Sequence, residues 1–169
     1  MSKTIPLEST RFGHVEIDPS IVLELEQGMI GFPDLKRYAI LKQREDSVFM
    51  WLHSTEDPSL AFPIVLPWVF YWDYEVDLSD ADMAAIGVER ADQISIYCVV
   101  NVGADVRAAT INLFSPIVVN NGDRRARQVI NTIAGYSTRD QLFRETDSPT
   151  PVAMHESDAP NVTVLTTGG

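Results

Sequence analysis

The sequence predicts a mainly β protein, a small β-barrel-like or open-sandwich single domain with one short helix. Three observations support this fold class. Short runs rich in β-branched and aromatic residues recur along the chain, turn residues separate them, and one segment alone has a helical pattern. The chain has 169 residues, 45% of them hydrophobic and 22% charged. This length is enough for one domain with a substantial core.

The expected strands follow one another with short turns between them. Alternating or continuous apolar residues predict strands over residues 11–17, 22–26, 38–41, 48–53, 61–66, 94–101 and 107–114. Two further strands, 117–120 and 123–130, flank Asn121 and Gly122. Asn-Gly suits a two-residue type I′ turn, so this region is expected to form a hairpin.

The single predicted helix begins after Ser79, which can cap its first turn. Asp80 and Asp82 lie in that turn, where the helix dipole favours negative charge. Gly87 is suited to end the helix, since glycine accepts positive φ.

Gly28 and Gly31 predict a sharp turn ahead of Pro33, because glycine accepts positive φ and proline fixes φ near −65°. The segment lacks the lysine and hydroxyl of a phosphate-binding loop, which favours a structural role. We expect the turn to place three apolar side chains in the interior, those of Met29, Ile30 and Phe32.

The composition changes near Tyr136, and from Thr146 onward the chain is rich in Ser, Thr, Pro, Asp and Gly. Such a segment cannot bury enough apolar surface to offset the entropy lost on ordering. The sequence therefore predicts a folded domain over residues 1–140 and a disordered C-terminal tail over 141–169. We expect the domain to fold without the tail.

The formal net charge is −11 and the isoelectric point about 4.5. This balance argues against direct nucleic-acid binding, which needs lysine and arginine to displace counterions. It suits a basic protein partner or simply aids solubility. The N-terminus lacks a signal-peptide core, and the most apolar run, 61–72, is too short to span a bilayer, so a cytoplasmic protein without membrane contact is expected.

No catalytic constellation, cofactor site or metal site is expected. Asp73, Glu75 and Asp77 alternate and would share one face of a strand, where they could bind a cation or form an acid/base pair. A solvated strand face predicts the same pattern. The three histidines are scattered, and the only cysteine, Cys98, lies in an apolar run, which predicts a buried and inert thiol. A small β-barrel enzyme using Asp73 and Glu75 is the alternative.

Residues 68–75 are unusually dense in aromatic rings beside acidic side chains. Core packing explains some of the rings, but side chains alternate in an extended segment, so not all can point inward. Exposed aromatic residues beside carboxylates are typical of protein-binding hot spots. The sequence therefore predicts a protein-binding surface formed by Trp68, Phe70, Tyr71, Trp72, Asp73 and Glu75.

Three segments resemble, in order, the motifs of the flagellar assembly factor FliW family. They are Leu-Glu-Gln-Gly-Met-Ile-Gly-Phe at 25–32, then 60–67 with 73–76, and finally Thr-Ile-Asn-Leu-Phe-Ser-Pro-Ile-Val-Val-Asn at 110–120 with 126–130. The resemblance covers about residues 10 to 135, and the tail from about Arg144 has no counterpart in it.

The resemblance implies a non-enzymatic cytoplasmic protein with a β-barrel-like fold. Family members bind flagellin before its export, and they bind the translational regulator CsrA and relieve its repression of flagellin synthesis. Flagellin and CsrA exchange on the protein, so flagellin level feeds back on translation. CsrA binds RNA, so an acidic protein suits it as a partner. Such a partner either binds the basic surface of CsrA or weakens its RNA binding indirectly. A generic export chaperone without a regulatory role is the remaining alternative.

Overall fold

A computed structural model describes residues 3–143 and 163–164. The strands are β1 (Ile5–Ser9), β2 (Gly13–Ile17), β3 (Val22–Leu25), β4 (Arg37–Lys42), β5 (Met50–Ser54), β6 (Ala61–Val65), β7 (Ile94–Asn101), β8 (Thr110–Ile111), β9 (Ile117–Asn120), β10 (Arg125–Gln128), β11 (Asp140–Gln141) and β12 (Thr163–Val164). One α-helix, α1, spans Asp80–Ala85, and short 3-10 helices lie at Pro19–Ile21, Pro67–Val69, Ala91–Gln93 and Val106–Ala108.

Seven strands close into a barrel, in the order β7, β6, β5, β4, β3, β10, β9. The ring closes because β9 also pairs with β7, with Val118 opposite Ile96. Neighbouring strands are antiparallel except β3 and β10, which run parallel. The mainly β prediction is confirmed, and of its two architectures the molecule adopts the barrel, which leaves few exposed strand edges.

The barrel interior is filled by apolar side chains from every strand of the ring. In β4 the side chains alternate, so that Tyr38 and Ile40 point inward while Ala39 and Leu41 lie under the β1–β2 hairpin. Both faces of β4 are thus covered, which explains its continuous apolar run. The buried interior group is Leu23, Leu25, Met29, Tyr38, Ile40, Met50, Leu52, Ile64, Ile117, Val119 and Ala126.

The outer face of the barrel is covered in two further places. The segment after α1 packs Ile86 and Val88 against Ile96 and Val118. The chain that follows β6 packs tyrosine rings against the outward side chains of β7, in a cluster that includes Tyr71, Tyr74, Cys98 and Val100. This second covering layer positions the surface described below.

Helix α1 confirms the predicted helix and both of its ends. The Ser79 hydroxyl accepts a hydrogen bond from the Asp82 backbone N–H at 3.0 Å. Gly87 ends the helix with φ +73°. No helix among the described residues has the length and apolarity needed to cross a membrane.

The prediction of one long strand over 107–114 is wrong for most of its length. Only Thr110–Ile111 pairs as a strand, β8. Before it, the Asp105 carboxylate accepts from the Arg107 N–H and caps a 3-10 turn. After it, the Asn112 side chain accepts from the Ser115 N–H. These local side-chain bonds to the backbone compete with strand pairing.

The predicted hairpin of β9 and β10 is confirmed, but its turn is not the two-residue type I′ turn. The connection runs over residues 121–124, and the Asn120 side chain accepts from the Gly122 N–H at 2.8 Å. Arg124, not Gly122, has the positive φ, at 69°. An asparagine side chain that bonds the backbone two residues on favours this longer loop.

The glycine turn forms as predicted, but it buries only one of the three apolar side chains. The Phe32 N–H donates to the Met29 carbonyl at 2.8 Å, and Gly31 has φ +93°. A type II turn has this geometry, and its first central residue lies at the tip. Met29 is buried, whereas Ile30 at the tip and Phe32 are exposed, so the prediction that they reach the interior is wrong.

The ordered fold reaches slightly past the predicted domain boundary. Asp140–Gln141 forms β11 against β8, and Leu142 is buried in the cluster that covers β7. Of the predicted tail, residues 144–162 and 165–169 lie outside the described residues. That residues 1–140 fold without the tail stays a prediction.

Candidate protein-binding surface

The chain leaves the barrel at the end of β6, where Pro67 follows Leu66. β6 ends at Val65, and Pro67, whose ring fixes φ near −65°, begins the 3-10 helix Pro67–Val69. The Pro67 carbonyl accepts from the N–H groups of Phe70 and Tyr71, at 3.0 and 2.8 Å. We call residues 66–75 the aromatic loop, which folds back over the outer face of β7.

Two tyrosines anchor the aromatic loop. The Tyr74 hydroxyl donates to the Leu113 carbonyl at 2.7 Å, and its ring centre lies 4.9 Å from that of Tyr136. The Tyr71 hydroxyl donates to the Gln141 carbonyl. Burial raises the pKa of Tyr74, so it stays neutral and keeps its hydroxyl as a donor. Contacts with distant parts of the chain therefore fix the loop.

The anchored loop presents four large apolar side chains to solvent. Trp72 is 76% exposed, and the others are exposed to smaller extents. We call the set the apolar patch: Leu66, Trp68, Val69 and Trp72. Single exposed apolar residues are ordinary, whereas several on one loop, including two tryptophans, make that loop a candidate interaction surface.

Trp68 is held in place although its ring is partly exposed. Its indole Nε1 donates to the Tyr74 carbonyl at 2.9 Å, and the two rings meet edge to face with centres 5.8 Å apart. The ring is therefore ordered before any partner arrives. Such preorganisation lowers the entropy cost of binding.

Asp73 and Glu75 lie beside the apolar patch with exposed side chains. The Glu75 backbone is fixed on both sides, because its N–H donates to the Tyr136 hydroxyl at 3.1 Å and its carbonyl accepts from Asn131 at 2.8 Å. Two exposed carboxylates thus lie on the same loop as the apolar patch, and exposed carboxylates suit a basic partner.

The strand that would place Asp73, Glu75 and Asp77 on one face does not form. Residues 73–77 pair with no strand, since their backbone groups are taken by side chains such as that of Asn131. The alternation of exposure persists nevertheless, with Tyr74 buried between exposed Asp73 and Glu75. The Asp77 carboxylate accepts from the Thr132 hydroxyl at 3.0 Å.

The structure divides the six predicted site residues into two groups. Trp68, Trp72, Asp73 and Glu75 are exposed together on the aromatic loop. Tyr71 is 8% exposed and belongs to the covering layer, and Phe70 is half-buried with ring centres 5.9 Å from Phe49 and 5.8 Å from Phe143. Phe70 and Tyr71 therefore support the surface from below.

Leu66 and Val69 belong to the patch but escaped the sequence-based prediction. Leu66 falls at the end of the predicted strand 61–66, and Val69 falls in the apolar run 61–72. The signal that points to them is Pro67, whose fixed φ favours a turn and so removes the residues on either side of it from the inward and outward alternation of a strand.

The other candidate groups are structural. Burial raises the pKa of the Cys98 thiol to about 12, as expected for an inert thiol. The His53 Nδ1 donates to the Ser54 carbonyl at 2.7 Å, and Nε2 accepts from the Ser9 hydroxyl at 2.8 Å. The Ser54 carbonyl can only accept, which fixes this tautomer. Burial lowers the pKa of His53.

Within residues 3–143 and 163–164, no three His, Cys, Asp or Glu side chains lie close enough together to hold a metal ion. His155 lies outside the described residues. The arginines after the hairpin are engaged, since Arg125 contacts Asp123 at 2.8 Å and Arg127 contacts Asp82 at 3.4 Å. Both arginines of β10 thus take part in ion pairs.

Comparison with known proteins shows the family to which this chain is related. The family model described as FliW protein matches residues 6–142. A flagellar assembly factor FliW from Ruminiclostridium cellulolyticum is 35% identical over 140 residues, which are 82% of this chain and 95% of that protein. A flagellar assembly factor FliW from Symbiobacterium thermophilum is 38% identical over 127 residues, covering 75% and 92% of the two chains.

A solved structure agrees with the sequence comparison. A crystal structure of the flagellar assembly factor FliW superposes with a TM-score of 0.77 at 29% identity, over 85% of this chain and all of that chain. The barrel, the covering layer and the matched residues therefore lead to one conclusion: this chain belongs to the FliW family.

Proposed function

We propose that this chain binds flagellin in the cytoplasm and antagonises the translational regulator CsrA, so that flagellin level controls flagellin synthesis. The chain acts by binding and not by catalysis. Its relatives carry the name flagellar assembly factor, which supports a role in flagellum biogenesis. The observation that carries the proposal is the apolar patch, bordered by Asp73 and Glu75 on a loop fixed from below.

The apolar patch supplies the energy for binding. A tryptophan ring buries about 150–250 Å² at an interface, and a few such side chains dominate the free energy of binding. Trp72 is the most exposed of the four, so it gains most from burial. We assign Trp72 as the central contact and Trp68 as its preordered neighbour.

The carboxylates raise the rate at which the chain associates with a basic partner. The chain carries a net charge of −11, and CsrA is an RNA-binding protein with a basic surface. Opposite charges accelerate association, and salt screens the effect over about 8–10 Å at physiological ionic strength. Asp73 and Glu75 place this attraction next to the apolar patch.

The proposed function is tested by titrating the purified full chain with flagellin and, separately, with CsrA, in a calorimeter. Saturable binding of both partners is expected, with each displacing the other in competition. Binding of flagellin without binding of CsrA would favour the export chaperone without a regulatory role. Binding of neither partner would overturn the proposal.

The location of the surface is tested by charge reversal. The double variant Asp73→Lys, Glu75→Lys should associate more slowly with CsrA and show a flatter salt dependence. A matched control, Glu26→Lys with Glu89→Lys, changes the net charge by the same amount at exposed positions outside the aromatic loop. Equal association rates for the two double variants would place the interface elsewhere, with the loop around Asn121 and Gly122 next in line.

A further inference from the structure

Part of strand β4 has an edge that pairs with no other strand of the barrel. β3 pairs with β4 only over Arg37–Ala39, with Val22 opposite Ala39. Before Val22 the chain turns into the 3-10 helix Pro19–Ile21. The second half of β4 therefore extends past the start of β3, while β5 pairs with it on the other side through Lys42.

The C-terminal strand β12 lies along this edge. Thr163 is opposite Lys42 and Val164 is opposite Leu41, in antiparallel register. β12 thus continues the line of β3 beyond the point where Pro19–Ile21 interrupts it. An exposed strand edge is a template for pairing with an added strand, because its N–H and C=O groups lack a neighbour.

The sequence around β12 differs from the rest of the C-terminal segment. Residues 162–167 read Val-Thr-Val-Leu-Thr-Thr, a run dominated by β-branched residues within a region otherwise rich in Pro, Ser and Asp. β-branched residues favour extended backbone. Chain length is no obstacle, since a connection of this many residues can span up to roughly 60 Å when fully extended, at about 3.3 Å per residue.

We propose that the free edge of β4 at Leu41–Lys42 is a strand-addition site and that the chain's own C-terminal segment, through Thr163–Val164, occupies it. The tether keeps the segment at a high effective concentration near the edge, which compensates for so short a pairing. Occupancy blocks the edge against pairing with a second copy or another extended chain.

The proposal is tested in the full chain by paired cysteines. Lys42→Cys with Thr163→Cys places the two thiols at directly opposite positions, whereas Lys42→Cys with Val164→Cys places them on opposite faces of the sheet. Native Cys98 does not compete, because it is buried with a pKa raised to about 12. Under mild oxidation the 42–163 pair should crosslink within one chain at least about tenfold faster than the 42–164 pair.

Three results would overturn the proposal: equal crosslinking rates for the two pairs, no crosslink in either, or a crosslink that forms only between two chains. Hydrogen exchange in the unmodified chain provides a second measurement that needs no variant. Adjacent residues of an antiparallel strand alternate in bonding to the partner, so one of the Thr163 and Val164 amides should exchange slowly. Exchange of both amides at the rate of an unstructured peptide would contradict the pairing.

Discussion

The glycine turn at residues 28–32 and the aromatic loop at 66–75 both carry apolar side chains out of the barrel, but they are held in different ways. The turn takes its shape from its own backbone, since Gly28 and Gly31 have positive φ and Phe32 bonds back to Met29. One distant side chain supports its tip, because the Ile30 N–H donates to Gln128 Oε1 at 2.9 Å. The loop is held by its own side chains, which reach distant residues, as Tyr74 does to Leu113. Local chemistry thus shapes the first region, and the tertiary fold shapes the second.

This difference decides which substitutions alter stability in each region. The turn depends on two backbone positions that only glycine fits easily, whereas its exposed tip contributes little. The loop depends on buried hydroxyl groups, whereas its exposed rings remain available for a partner.

The largest effect is expected for Gly28→Val. Gly28 has φ +67°, and a side chain there would come within 2.3 Å of the Phe32 carbonyl oxygen. Backbone strain and the clash together should cost about 3 kcal/mol or more in the free energy of unfolding, measured by denaturant titration.

Gly31→Val is the matched control for Gly28→Val. Gly31 also has positive φ, but open space surrounds the added side chain. Strain alone remains, so a loss of about 1–2 kcal/mol is expected. Equal losses at the two positions would show that the close approach at Gly28 does not matter and that the turn tolerates displacement.

Tyr74→Phe tests whether buried hydroxyl groups hold the aromatic loop. The variant keeps the ring but leaves the Leu113 carbonyl without its donor, which should cost about 1–3 kcal/mol in the free energy of unfolding. Trp72→Phe, on the same loop, should change it by less than about 0.5 kcal/mol because the ring is exposed. If Tyr74→Phe also changed the free energy of unfolding by less than about 0.5 kcal/mol, backbone turns and not the hydroxyl would hold the loop.

The β1–β2 hairpin extends the comparison to a third region, since the bond from Ser9 to His53 fixes its connecting turn. The Ser9 hydroxyl also accepts from the N–H groups of Arg11 and Phe12. Burial lowers the pKa of His53 below its ordinary 6.5, with nearby Arg11 lowering it further and the Ser54 carbonyl and Asp57 opposing. As the pH falls, His53 in the unfolded chain is therefore protonated before His53 in the folded chain.

The sign of the pH effect follows from this order of protonation. The His53 contribution to stability is complete above pH 6.5 and is lost as the pH falls from 6.5 through the lower pKa of the folded state. His14 acts oppositely and in a higher window, because Glu8 raises its pKa. Denaturant titrations of the chain and of His14→Gln should both lose stability below pH 6.5. Unchanged stability in that range would contradict the neutral, bonded His53.

The smallest effect is expected for Tyr38→Phe. The Tyr38 hydroxyl is buried in the barrel interior without a hydrogen-bond partner among the described residues, and burial raises its pKa to about 12. Removing a hydroxyl that makes no bond should leave the free energy of unfolding unchanged or raise it by up to about 1 kcal/mol. A clear loss in a thermal melt would indicate that the hydroxyl is bonded.

The same contrast explains how much of the molecule the sequence predicts. Strand β7, helix α1 and the positive φ values at Gly28 and Gly31 follow from local residues, so they were predictable. The structure of residues 73–77 does not follow from their own sequence, because Asn131, far along the chain, bonds their backbone groups. Sequence patterns within a short segment cannot reveal a hydrogen-bond partner so far along the chain.

The candidate site follows the same rule. The clustering of aromatic and acidic residues singled out a loop whose side chains are partly exposed, but it did not separate Trp72, which is exposed, from Tyr71, which is buried. That separation depends on Gln141, whose carbonyl accepts from the Tyr71 hydroxyl. Ring density predicts a region, and the tertiary contacts select the residues within it.

The most direct test of the account is the binding of Trp72→Ala to flagellin and to CsrA, measured beside a thermal melt. The account predicts an unchanged melting temperature and a dissociation constant raised at least about thirtyfold for one or both partners, mainly through faster dissociation. Val106→Ala, another exposed apolar side chain outside the aromatic loop, should bind normally. Unchanged affinity of folded Trp72→Ala for both partners would contradict the assignment of the apolar patch as the binding surface.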